Sequence, residues 1–369
     1  MALSPLDDYP VHQIAEPIRH VATSDRNFYD RYYFNLHSCS DELFLVAGLG
    51  QYPNLGVTDA FVVVRRGPLH HVVRASRALG NDRMDTRVGP IRVEVLEGLK
   101  RLRVVCEPNE WGLAMDLTWE GHIPAHLEER HFKRELGRAI IDTSRLAQTG
   151  FWTGTLEIGD ERFDVTPDRW WGARDRSWGI RPVGEAEPPG RRATLGSTFA
   201  FWNYAPMQFP DFSILSIAQE EPDGTRVLEQ AARVYRDPER PVERLAGPVH
   251  AFEFHSGTRS VKRARLSFTQ PDGRPLHVEV EPMLPLFVGV GTGYGFDADW
   301  RHGMYQGELE VQGLTLDFDK PEDRARMWGL TDTVARFEVD GVVGYGLFEY
   351  LLLGPYEPYG FKSFEDVAP

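Results

Sequence analysis

Glycine and proline punctuate this 369-residue chain at short intervals, and that punctuation restricts what it can build. The 35 glycines and 26 prolines are scattered along the whole length. Between them lie short segments that alternate apolar and polar residues, as strands with one buried face do. Continuous helical periodicity is scarce, so the reading is antiparallel β structure. Leu156 and Ile158, then Gly159-Asp160, then Phe163 and Val165 read as a hairpin. Phe337 and Val339, Asp340-Gly341 and the residues from Val343 read as another, because Asp-Gly is the strong turn signal. Pro222-Asp223-Gly224 and Pro271-Asp272-Gly273 separate the runs Phe212 to Ala218, Val261 to Phe268 and His277 to Val280, each of strand length. Phe61 to Val64, Gly67-Pro68 and His71 to Val73 give a further pair near the N-terminus.

One stretch stays open. Ala125 to Gln148 is rich in Glu, Arg and Leu, and Leu127, His131 and Leu136 fit one helical face. A long strand at a domain edge would carry the same charges on its solvent side. An internal echo links Gly154-Thr155-Leu156-Glu157-Ile158 with Gly307-Glu308-Leu309-Glu310-Val311, each followed by an Asp-Arg segment ending in Trp-Gly. It suggests two related β-domains that use the same closing hairpin. Pro182 to Arg192 mixes Gly, Pro and charge without periodicity and reads as a connector. The expected division is therefore 1–185 and 186–369.

Composition excludes several roles. With 41 Lys and Arg against 55 Asp and Glu the net charge is -14, which repels nucleic acid and anionic lipid. No stretch approaches the roughly 20 apolar residues of a membrane span. Met1 to Asp30 carries charges and prolines where a secretory signal has an apolar run, so a cytoplasmic location is expected. Cys39 and Cys106 are too few for a disulfide scaffold or a four-cysteine zinc site and read as small core residues.

The densest chemistry lies in Trp170-Trp171-Gly172-Ala173-Arg174-Asp175-Arg176-Ser177-Trp178-Gly179. Aromatic walls around charged groups suit a site for an apolar ligand with reactive polar chemistry, while Trp packing and Arg-Asp ties also suit a scaffold. In Phe199-Ala200-Phe201-Trp202-Asn203-Tyr204, alternation sends Phe199, Phe201 and Asn203 to one face and Trp202 with Tyr204 to the other. Trp202 and Tyr204 could then line a cavity, the phenol acting as a proton donor. Glu349, among apolar residues of Gly346 to Leu353, and Asp59, just before an apolar strand, must each be paired, neutral or exposed. His122, His126 and His131, with Glu128 and Glu129 between them, resemble a metal cluster, but Pro124 disfavours the helix that would gather them. Gly289 to Gly295 lacks dinucleotide-binding spacing and reads as a bend or bulge.

Arg174-Asp175-Arg176-Ser177-Trp178-Gly179, Tyr32 to His37, Tyr52 to Gly56 and Gly346 to Tyr350 resemble the lipocalin-like superfamily of carotenoid 1,2-hydratase (hydroxyneurosporene synthase) and AttH-type proteins. The likeness spans most of the chain, and Asp-x-x-Trp-Gly is its most specific motif. It implies an all-β fold of two tandem calycin, or lipocalin-like, antiparallel barrels with few short helices. It also implies a hydrophobic cavity, no metal or organic cofactor, and hydratase, isomerase or cyclase chemistry on an apolar unsaturated molecule of terpenoid, steroid or polyketide type. In the hydratase the motif resembles Asp-His-x-Trp-Gly. Asp175, Trp178 and Gly179 match, whereas the His position is Arg176, which stays protonated and can hold an anion but not shuttle a proton. The Tyr of the family's later Tyr-x-Asp pair is matched by Tyr204, with Ala205 and Pro206 following and no acid two residues on.

The expected catalytic set is therefore Asp175 for proton exchange, Arg176 for an oxyanion and Tyr204 as acid. Trp171, Trp178, Trp202, Asn203, Glu349 and Asp59 are the expected substrate-binding residues, and the expected partner is an apolar small molecule. Two alternatives stand beside this: a carrier that binds such a molecule unchanged, with Arg174-Asp175 as an internal ion pair, and a structural module with filled barrels. The oligomeric state is left open.

Overall fold

The computed structural model describes residues 3–183, 200–294 and 297–369. Among these residues regular structure is almost all antiparallel strand, fourteen in one sheet and nine in another. The one α-helix, Pro321–Arg324, is a single turn. No helix among them is long and apolar enough to cross a membrane.

The first sheet runs in space from Leu309–Asp317 through Leu69–Ala78, Val57–Arg66, Phe44–Tyr52, Phe28–His37, Trp171–Ile180, Arg138–Ile158, Leu113–Gly121 and Arg101–Cys106 to Ile91–Glu97 and Arg87–Val88. It curls until its far edge nearly meets its start. Gly89, at φ +55°, sits at that closure, and a Cβ there would stand 2.8 Å from Val311 Cγ2. Trp119 and Trp152 meet edge to face at 5.2 Å in the interior, and Trp170 belongs to the same core. The second sheet closes completely, because Phe201–Gln208 pairs with Phe212–Glu220 on one side and with Val342–Leu347 and Glu349–Leu352 on the other. Phe201, Phe252, Phe337 and Phe348 fill its interior. The fold is thus two tandem antiparallel barrels, as the resemblance implies.

Strand alternation also builds the contact between the barrels. Leu45, Ala47 and Leu49 point into the first barrel, while Phe44 and Val46 of the same strand point out. The outward set packs with Phe61, Val63 and Val72 against Tyr204, Leu215, Ile217, Val234 and Leu286 of the second barrel. That is why Phe44–Tyr52 is buried on both faces.

The expected hairpins form, one turning at Gly159-Asp160 and the other at Asp340-Gly341. The open stretch from Ala125 resolves as strands His126–Leu127, His131–Glu135 and Arg138–Ile158. Leu309–Asp317, the later copy of the echo, extends the first sheet beside Leu69–Ala78 rather than closing a hairpin of its own. Gly289 and its neighbours form turns and bends after the strand Pro275–Phe287. The boundary expected at 185/186, and Phe199, lie outside the described residues.

The tryptophans of the first sheet therefore divide by depth. Trp152→Ala removes a fully buried indole whose Nε1 donates to the Asn35 carbonyl at 2.8 Å, and should lower the unfolding free energy by about 3–5 kcal/mol in denaturant titrations. Trp178→Ala, at a residue 37% exposed, should cost less than about 1 kcal/mol.

Candidate functional site

The site is assembled from the outward faces of strands whose inward faces make the cores. On Phe28–His37, Phe34 and Leu36 enter the first barrel, which turns Arg31 and Tyr33 toward the second. Register then sets the rows. Tyr33 lies opposite Asp175, and Asp175 opposite Ala147. Arg31 lies opposite Ser177, and Ser177 opposite Arg145. From the second barrel, Tyr204 is paired with Glu349 on one side and Ile217 on the other, and Trp202 sits one alternation away. Gly172 lets the strands of the first barrel approach, since a Cβ there would stand 2.0 Å from the Asn35 oxygen. Between the two faces lies a cavity of about 260 Å³. Its wall carries Arg31, Tyr33, Glu128, Arg145, Asp175, Trp202, Tyr204 and Glu349, with Ile217, Leu228, Leu330 and Leu351 as apolar surface.

Charge in this enclosed space is arranged in distinct parts. Arg145 donates from Nε to Glu128 Oε2 at 2.5 Å, and its guanidinium lies 4.3 Å from the Tyr204 ring centroid and 5.8 Å from that of Trp202. Burial opposes its charge, but Glu128, Tyr204 and Asp175 outweigh it, so Arg145 stays cationic. Burial raises Asp175 above the usual carboxylate range against the pull of Arg145 and Arg31. Among the described residues the Asp175 carboxyl group makes no hydrogen bond, so its lone pairs are available to the cavity. The Tyr204 hydroxyl likewise has no partner there. Burial and then Glu128 push its pKa well up, which keeps the phenol a donor.

Behind Glu349 lies Asp332, fully buried on the strand Thr331–Val339. Tyr33 donates to Asp332 Oδ2 at 2.5 Å, and Trp202 Nε1 donates to Glu349. The two carboxyl groups are buried together and each opposes the other's charge, so one of them keeps a proton. Burial, followed by the charge of Glu349, drives Asp332 well above the ordinary range, so Asp332 is the protonated partner. The pair is a carboxylic acid held next to a carboxylate, with Glu349 at the cavity surface.

Asp175, Tyr204, Trp202 and Glu349 thus meet in one cavity, joined on its wall by His131, Glu128 and Glu129 of the histidine-rich stretch, and the other sequence candidates do not join them. Arg176 and Trp178 leave the opposite face of their strand and line a separate cavity, where Arg176 donates to Asp30. Arg174 bonds Gln148 at 2.9 Å rather than Asp175, because adjacent strand residues point apart. Trp171 stacks edgewise on Phe151 and Tyr345. Asn203, turned to the interior of the second barrel, donates to the Glu349 carbonyl at 2.9 Å. Asp59 sits behind Arg31, accepting from the Gly303 N–H at 2.7 Å and the Tyr52 hydroxyl at 3.2 Å. His122 donates to the Phe209 carbonyl at 2.9 Å and His126 meets Gln230, so neither turns toward Glu128.

Arg31, Tyr33, Arg145 and Asp332 were missed from the sequence, and Glu128 was read there only as part of a possible metal cluster. Two had a usable signal. Asp332 stands at the head of an apolar strand just as Asp59 does, and Arg145 shares a strand face with Ala147 once its segment is taken as β.

Two barrels meeting over a polar cavity define a protein of the AttH-like, lipocalin-like fold. Residues 3–362 match the profile described as a family of unknown function (DUF8625), and the chain belongs to that family. Among solved structures it is similar to kievitone hydratase from Nectria haematococca, with 14% identity over 87% of this chain and 88% of that one and a TM-score of 0.52. A protein from Nitrosomonas europaea described as AttH has 15% identity over 95% and 99% of the two chains, with a TM-score of 0.54. CghA has 12% identity over 89% of each chain, with a TM-score of 0.50. At such identities the shared property is the fold. Among curated proteins none matches the chain.

Burial, working against Arg31 and the Gly303 N–H, pushes Asp59 up to about 6 from 3.8. A raised acid stabilises the fold fully below its unfolded pKa and loses that contribution as pH climbs through its folded pKa. Relative to Asp59→Asn, the wild-type unfolding free energy should therefore fall as pH rises from about 4 to about 7, by up to roughly 3 kcal/mol. Urea titrations across that window measure it, and a constant difference would contradict the assignment.

Proposed function

We propose that the protein is an acid–base enzyme of hydratase, isomerase or cyclase type, acting on an apolar unsaturated small molecule in the cavity between the barrels. The observation that carries this reading is the buried Asp332–Glu349 carboxyl pair, whose Glu349 lines the same cavity as Asp175, a carboxyl group with no side-chain hydrogen bond among the described residues. One side can give a proton and the other can take one, the division of labour that proton-transfer catalysis needs. Arg145 with the Tyr204 hydroxyl would hold a carbonyl oxygen or oxyanion, the part that the sequence alone gives to Arg176. Trp202 and the leucines would seat the carbon skeleton.

For addition of water to a conjugated alkene, Glu349 would deliver the proton held with Asp332 to one carbon. Water would attack the other carbon while Asp175 accepts its released proton, and exchange with solvent would reset both acids. Isomerisation or ring closure would use the same donor and acceptor without the water. That one fold relative is a hydratase agrees with this reading. The many charged groups around the cavity favour a substrate that carries a carbonyl or carboxyl on its apolar frame.

Native mass spectrometry of the purified protein would reveal a co-purifying molecule, which is then incubated with fresh enzyme in deuterated water. The expected result is a product carrying carbon-bound deuterium. Asp175→Asn and Glu349→Gln should each lower kcat about 100-fold or more at unchanged melting temperature. Release of the molecule unaltered would identify a carrier, and full turnover by both variants would remove the assigned roles.

A further inference from the structure

The strand Trp171–Ile180 has a second side. Where Asp175 and Ser177 face the cavity between the barrels, Arg176 and Trp178 face one of about 830 Å³ at the mouth of the first barrel. Leu49 and Val93 supply apolar wall from the barrel, and Val11, Ile14 and Ile18 supply it from the N-terminal segment laid across the opening. That segment has one turn of 3-10 helix, Pro5–Asp8, and no strand before Phe28. It is pinned by side chains: Asp7 accepts from the Ile18 N–H at 2.8 Å, and Asn54 Nδ2 donates to the carbonyls of Thr23 and Asp25 at 2.8 Å each.

One part of this wall is cationic. Asp30 lies between Arg176, which donates to it, and Arg83, whose Nη2 reaches it at 2.9 Å, so two guanidinium groups share one carboxylate. The other acids do not cancel the excess. Glu94 is held by Arg92 and Arg103, and Asp142 by both arms of Arg130, none of these arginines lining the cavity. Glu16 is exposed at the rim. The bonds from Arg83 and Arg176 to Asp30, Gln51 and the Arg31 carbonyl, with a contact to Tyr32, use about half of their N–H donors.

We propose that this cavity binds an amphipathic carboxylate, its apolar chain between strap and barrel and its head group on Arg83 and Arg176. The size lies within the ordinary range for small-molecule sites of about 300–1,000 Å³. An unmatched guanidinium facing an apolar enclosure selects for an anion with a greasy tail over a neutral or cationic one. The site is separate from the cavity between the barrels and stands whether or not that cavity is catalytic.

Titration calorimetry on the full chain with octanoate, decanoate, dodecanoate and methyl dodecanoate tests this. Each added methylene should tighten Kd about fourfold, and the ester should bind at least tenfold more weakly than dodecanoate. Arg176→Gln should abolish the preference for the acid over the ester. On the wild type, hydrogen exchange should show dodecanoate protecting residues 11–23 and leaving the strand Phe201–Gln208, which carries Tyr204 and does not line this cavity, unchanged. This second reading stands even where Arg176→Gln fails to fold. No binding of dodecanoate at millimolar concentration, equal affinity for acid and ester, or protection around Tyr204 with an unchanged strap would each overturn the proposal.

Discussion

Burying charge between two barrels is expensive, and the arrangement around that expense organises the molecule. An isolated carboxylate cannot be taken out of water unless it is paired, hydrogen-bonded or protonated. The interface uses all three solutions at once. Glu128 is paired with Arg145, Glu349 accepts from Trp202 Nε1, and Asp332 keeps a proton, while Asp175 lies in the field of Arg145 and Arg31. Each solution depends on the others, because Arg145 feels Glu128 and Asp175 together. The apolar contact of Phe44, Val46, Ile217 and Leu286 holds the barrels close enough for these groups to meet.

Strand alternation turns this local arrangement into two sites. A single strand wall, Trp171–Ile180, presents Asp175 to one cavity and Arg176 to the other. The two cavities differ in the way their acids and bases are balanced. Between the barrels, carboxyl groups with raised pKa values and an unbonded phenol suit proton transfer. At the mouth of the first barrel, two arginines around one aspartate suit holding an anion without chemistry. The strand Trp171–Ile180 forms a wall between the two cavities.

Much of the architecture was legible in the sequence, because two-residue alternation and Asp-Gly turns are local. Trp202 and Tyr204 were readable as sharing a face for the same reason, and Glu349 because an acid among leucines needs an explanation. Asp175 and Arg176 show the limit. Neighbours in a motif look like one site, yet in a strand they face opposite ways. Arg145 was hidden because its segment fitted a helix as well as a strand. Asp332 was hidden because its partners are remote, Tyr33 being 299 residues away, and no local pattern encodes that meeting.

The account rests on a carboxylic acid that stays protonated at the interface. Infrared spectra at about pH 8, well above the Asp59 titration, compare the wild type with Asp332→Asn. The account predicts a protonated-carboxyl C=O band in the wild type that the variant lacks. A wild type without that band, or one whose band survives unchanged in Asp332→Asn, would contradict it.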